Sequence, residues 1–206
     1  MKIIKACILA IGFVTGSANA ADFSFTGEFK DADEVQEFNF TVLGAASDVM
    51  LRTWSYAGGT NAAGMDIARG GFDPVVTLFN ASTGGGIDEN DDGSLIADSV
   101  TGLRYDSFLM ANLPVGDYTA TVTQYSSFAN GPSLADGFMG SGNTSFGSRD
   151  SHWALDILNV NAASIGASYV SHTAPIPEPE SYALLLAGLG LVAFMARRRL
   201  HEGQLS

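Results

Sequence analysis

The chain has 206 residues, 46% of them hydrophobic, and a formal net charge of −12. Between residues 21 and 175, five basic side chains stand against nineteen acidic ones, a net of −14. A field of that sign repels phosphate backbones, which speaks against nucleic-acid binding, while it favours cations and helps keep a chain in solution. The stretch is long enough for one domain with a real core. The single cysteine, Cys7, lies outside it, so the domain has neither a disulfide nor a thiolate metal site.

The first twenty residues read as a secretory signal peptide. Lys2 and Lys5 form a positive start, Ala6 to Val14 is apolar, and Ala18-Asn19-Ala20 is a small-x-small site. Signal peptidase is the expected partner, cutting after Ala20 and removing Cys7 with the leader.

Residues 21–161 are expected to form a β-sandwich. Phe38, Phe40 and Val42 alternate with Asn39 and Thr41. Tyr118, Ala120 and Val122 alternate with Thr119, Thr121 and Thr123, which predicts a strand with one wet face. Phe23–Phe29, Val49–Trp54, Val75–Phe79, Ser107–Leu113 and Trp153–Val160 are further strand candidates, separated by Gly, Asp and Asn turns. Seven or more short strands without helical periodicity point to an all-β fold. Residues 162–176 read as a linker or a last edge strand.

Within the domain, Asp88 to Gly93 concentrates oxygen ligands in a predicted turn. Asn90, Asp91 and Asp92 are therefore candidate ligands for Ca²⁺, which takes six to eight oxygens. The EF-hand spacing is missing, and an ordinary Asp-Gly turn beside a solvated loop explains the same residues. The glycine-rich segment Ala57–Gly71 is long enough to be functional or mobile, but it lacks the G-x-x-x-x-G-K of a phosphate cradle. Trp54, Tyr56 and Trp153 are candidates for stacking on sugar rings, although aromatics at strand spacing usually fill cores. No catalytic residue is selected. Asp150, Ser151 and His152 are neighbours in sequence only, and there is no H-E-x-x-H or G-x-S-x-G.

Asp31–Val42, Phe72–Phe79, Glu89–Gly93 and Leu113–Val122 together resemble the bacterial pre-peptidase C-terminal domain. That resemblance implies a jelly-roll-like sandwich, often calcium-associated and non-catalytic, with Asp73, just before a strand, as a further carboxylate ligand for Ca²⁺ beside Asn90, Asp91 and Asp92. The insert Ala57–Gly71 and the tail Phe128–Val160 depart from it; with a W-S-Y-A-G-G-T-N stretch (Trp54–Asn61) and a closing W-A-L-D-I (Trp153–Ile157), those parts resemble an uncharacterised group of proteins that carries the C-terminal signal described next, and no activity comes with that likeness.

The C-terminal stretch, residues 177–200, follows a different logic. Pro177-Glu178-Pro179 holds the chain extended, Tyr182 to Ala196 has no charge and no proline, and Arg197, Arg198 and Arg199 follow. An uncharged run of this kind has no polar face and predicts a single transmembrane helix over 182–196. At 1.5 Å per residue it spans roughly 22 Å, short of a ~30 Å hydrocarbon core, and Tyr182 and snorkelling arginines cover the difference. The arginines place residues 201–206 on the cytoplasmic side. The order Pro-Glu-Pro, apolar helix, arginine cluster resembles the PEP-CTERM sorting signal. That resemblance makes Pro177, Glu178, Pro179 and the three arginines recognition residues for an exosortase. It implies an exported, non-catalytic protein held at the inner membrane and then delivered to the cell surface or an exopolysaccharide matrix. A calcium-dependent carbohydrate-binding or adhesion module is the alternative, and a secreted hydrolase a lower one.

Overall fold

The computed structural model describes residues 20–171. The leader with Ala18, the Pro177-Glu178-Pro179 motif, the helix expected over 182–196 and Arg197 to Arg199 lie outside the described residues. Among the described residues no helix is long and apolar enough to cross a membrane.

Two antiparallel sheets dominate. One orders strands β1 (Ala21–Glu28), β10 (His152–Val160), β3 (Ser47–Thr53) and β8 (Phe108–Leu113). The other orders β11 (Ala162–Val170), β2 (Glu34–Val42), β9 (Gly116–Gln124), β6 (Pro74–Asn80) and β7 (Gly86–Asn90). A small hairpin pairs β4 (Gly59–Thr60) with β5 (Asp66–Ile67). Residues 162–170 are thus an edge strand, with Val170 opposite Glu34, and the domain continues to Ser171.

Period-two patterning builds the core. Phe38, Phe40 and Val42 of β2, Val76 and Leu78 of β6, and Tyr118, Ala120 and Val122 of β9 meet Val49 and Leu51, Leu109, and Leu155 and Ile157 of the other sheet in one buried cluster. Burying an aliphatic or phenyl side chain of this size contributes about 1.5–3 kcal/mol. Phe38 meets Trp153 edge-on, their ring centroids 5.4 Å apart.

The outer face of the five-stranded sheet corrects the expectation of a wet side. Thr121 and Thr123 are fully buried and Thr119 nearly so. The connection between β9 and β10 folds back over them. Its Phe138 packs with Val35 and Phe79, supported by Ala129, Leu134 and Tyr169, into a second apolar cluster. Thr123 Oγ1 donates to the Ser127 carbonyl, 2.6 Å away, so its hydroxyl is satisfied inside that cover.

The strand registers sort the connections by end. At one end run short links of one to five residues: 43–46, 81–85, 114–115 and 161. At the other end lie all the long ones, 54–73, 91–107 and 125–151, and there β11 delivers the chain to Ser171.

Candidate functional site

The long connections at that second end carry Trp54, Tyr56, Asp73, Asp91 and Asp92, while Asn90 and Trp153 lie in the strands that border them. What joins them is a set of buried carboxylates.

Asp156, in β10, is 2% exposed. Its Oδ2 accepts from Trp54 Nε1 at 2.7 Å and from the Ala62 amide at 2.9 Å, and its Oδ1 accepts from Ser24 Oγ at 2.5 Å. The two segments W-S-Y-A-G-G-T-N and W-A-L-D-I are therefore one structural unit. The Trp54 amide also donates to the Ala154 carbonyl, and the Ala154 amide donates to Ser55 Oγ. Gly59 has φ of 141°, and a Cβ there would sit 2.7 Å from Trp54 Cζ3, so the glycine serves both the turn and the indole. The segment Ala57–Gly71 is an ordered hairpin rather than an open loop.

Asp106 is likewise buried. Its Oδ1 accepts from Thr53 Oγ1 and the Tyr56 amide, and its Oδ2 from the Ala57 amide at 2.7 Å. Burial pushes its pKa up, and these hydrogen bonds only partly offset that. Asp98 shows the opposite balance. It also loses water by burial, but the Thr101 and Val100 amides and the guanidinium groups of Arg69 and Arg149 hold its carboxyl well below the usual carboxylate range. Arg69 Nη2 lies 2.8 Å and Arg149 Nη1 3.2 Å from Asp98 Oδ2. Arg149 also stacks over the Tyr56 ring, 3.5 Å from its centroid. One carboxylate thereby ties together the three long connections.

The candidate calcium ligands are arranged differently from the sequence expectation. Asp88, Glu89 and Asn90 are not in a turn; they form β7, where alternation sends Glu89 to the outer face to accept from Thr77 Oγ1 and the Ala129 amide. Asn90 Oδ1 accepts from the Phe108 amide. Asp73, half-buried just before β6, has a buried Oδ1 with no hydrogen-bond partner. Its pKa is pushed up to about 8, first by burial and then by the Asp92, Asp91 and Asp106 carboxylates. The Asp92 pKa is raised in turn by burial and by Asp91. These acids feel one another, yet among the described residues no three His, Cys, Asp or Glu side chains gather closely enough to hold a metal ion.

Trp54, Tyr56 and Trp153 are 7%, 7% and 4% exposed and offer no open ring face for a sugar. Trp153 packs beneath Gly27, and Tyr56 meets Tyr105 edge-on at 5.0 Å. His152 presents Nδ1 to the Asp150 carboxylate and Nε2 to the Ala68 carbonyl, so both ring nitrogens face acceptors within the loops. A shallow depression of about 320 Å³ lined by Asn39, Thr41, Asp117 and Ser164 opens on the five-stranded sheet toward its short-turn end, away from all of these groups.

Sequence reasoning missed Asp98, Asp106 and Asp156, because a buried acid and a solvated one look alike in composition. A local signal existed for Asp98: Asp-Ser-Val-Thr (98–101) is the pattern of an Asx turn whose side chain caps the amides two and three residues on.

Residues 175–199 match the PEP-CTERM protein-sorting motif. The match supports an exported protein sorted through an exosortase. No curated protein matches the chain.

Proposed function

We propose that this protein is an exported, non-catalytic β-sandwich that an exosortase delivers to the cell surface or to an exopolysaccharide matrix. The observation that carries the reading is the sorting-motif match at residues 175–199, immediately C-terminal to an autonomous all-β unit that ends at Ser171. In this reading signal peptidase removes residues 1–20, the run 182–196 holds the intermediate in the inner membrane with the sandwich on the periplasmic side, and cleavage near Pro177-Glu178-Pro179 releases it. A jelly-roll-like sandwich of the pre-peptidase C-terminal type is the fold we assign to the domain, supported by its two antiparallel sheets. A non-catalytic role is supported by the use of the buried acids. Asp98, Asp106 and Asp156 are each committed to hydrogen bonds that fasten the loops.

The test is fractionation of cells that have or lack an exosortase, with Arg197, Arg198 and Arg199 replaced by neutral residues in a parallel strain. The expected result is membrane retention without exosortase, and for the wild type with exosortase a released form whose mass places the new C-terminus near Pro177. The arginine variant is expected to lose orderly processing. Unchanged fractionation in all strains would overturn the reading.

A further inference from the structure

The connection between β7 and β8 holds an unusual combination. Leu95, Ile96, Val100 and Leu103 are 80%, 45%, 73% and 41% exposed, four large aliphatic side chains within nine residues. An exposed loop is ordinarily polar, and clustered aliphatics on a surface mark an interaction site. The segment is also held firmly. Asp98 Oδ1 accepts from the Val100 and Thr101 amides at 2.8 Å, the Asp98 amide donates to the Leu103 carbonyl, and the Gly102 amide donates to the Asp98 carbonyl. From behind, Arg69 and Arg149 clamp the same carboxylate. Its base is closed by the bridge between Gly93 and Ser107. The buried Asp98 carboxylate and its two arginines thus brace a loop that presents aliphatic groups outward.

What covers them follows from where the chain leaves the domain. The protrusion rises from the same end at which β11 reaches Ser171. The sequence then leaves only residues 172–181 before the uncharged run that begins at Tyr182. Ten residues, fully extended, reach at most roughly 35 Å. We propose that Leu95, Ile96, Val100 and Leu103 form a lipid-docking protrusion that seats this end of the sandwich on the bilayer surface. This rests on the reading that residues 182–196 anchor the precursor. Arg104, exposed beside Leu103, suits a phosphate headgroup, while the acidity of the domain as a whole favours zwitterionic over anionic lipid.

Cys7 leaves with the leader, so residues 21–206 carry no cysteine and accept a single fluorescent label at an introduced one. Residues 21–206, the form the proposed export leaves at the membrane, are reconstituted in phosphatidylcholine vesicles with an environment-sensitive dye at Leu95→Cys or Val100→Cys, and at Val115→Cys in the opposite-end turn as the control. The expected result is a blue shift at 95 and 100, with quenching by nitroxide-bearing lipid, and aqueous emission without quenching at 115. Aqueous emission at all three positions in protein that floats with the vesicles overturns the docking and leaves the anchor standing. Failure to float overturns the anchor and the docking together. A blue shift that appears without vesicles and grows with protein concentration assigns the patch to a second copy of the chain and also overturns lipid docking.

Discussion

Trp54 Nε1 donates to Asp156 Oδ2 across 2.7 Å, although the two residues are 102 positions apart in the chain. The bond lies between the strand that ends at Thr53 and the middle of β10, so it fastens the Gly59–Ile67 hairpin to the four-stranded sheet. Trp54→Phe keeps most of the ring volume and removes one donor from a buried carboxylate. It is expected to cost about 1–3 kcal/mol, read as a lower midpoint in urea with an unchanged slope.

Asp98 is the knot that joins all three long connections. Asp98→Ala leaves two guanidinium groups without their carboxylate, Arg149 among them largely buried, and is expected to cost about 3 kcal/mol. The pH dependence has a definite sign. Its folded pKa lies below its unfolded one, so the contribution is present above about pH 4 and fades as pH falls through the folded value. Thermal melts between pH 2 and 7 should therefore show a shallower acid-side decline in the variant than in the wild type.

Asp73 behaves in the opposite sense. Its folded pKa of about 8 stands above an unfolded value near 4, so stability falls as pH rises from 4 to 8 and stays low above that. Asp73→Asn removes the ionisation. It is expected to stabilise the protein at pH 8 by on the order of 1–3 kcal/mol after solvent screening, with the gain vanishing at pH 4. Melting curves of both proteins at the two pH values decide it.

Gly27 lies opposite Trp153 in the β1–β10 pair, and a Cβ there would sit 2.3 Å from Trp153 Cζ2. Gly27→Ala is expected to cost about 1–3 kcal/mol by displacing the indole. The near-ultraviolet circular dichroism of Trp153 should change with it, whereas Gly44→Ala, where nothing lies within 4 Å, should leave that signal alone.

The sequence pattern was legible where one face alternates against the core. β2 and β9 are found where Phe38, Phe40 and Val42 and Tyr118, Ala120 and Val122 place them, because period two reports burial on one side. It misled at Thr119, Thr121 and Thr123, since what covers them is Phe138 and Leu134, brought in by a long connection that no local pattern encodes. β7 was hidden by its composition: Ile87-Asp88-Glu89-Asn90 is too acidic to look like a strand, and it pairs only because β6 offers it an edge. In the sequence Trp54 and Trp153 suit a sugar platform as well as a core, because aromatic residues carry no mark of which side of a sheet they occupy. Their burial is decided by Gly59 and Gly27, the residues small enough to let the indoles in.

The pairing of β1 with β10, and of β2 with β11, joins the first strands of the domain to its last. Ala21–Glu28 opens the domain, yet among the described residues its only sheet neighbour is the strand His152–Val160, near the domain's end. Loop closure over more than a hundred residues is slow relative to local contacts. The outer edge of the four-stranded sheet is thus sealed by its most distant sequence partner, and the sheet is whole only when residues 152–160 are in place.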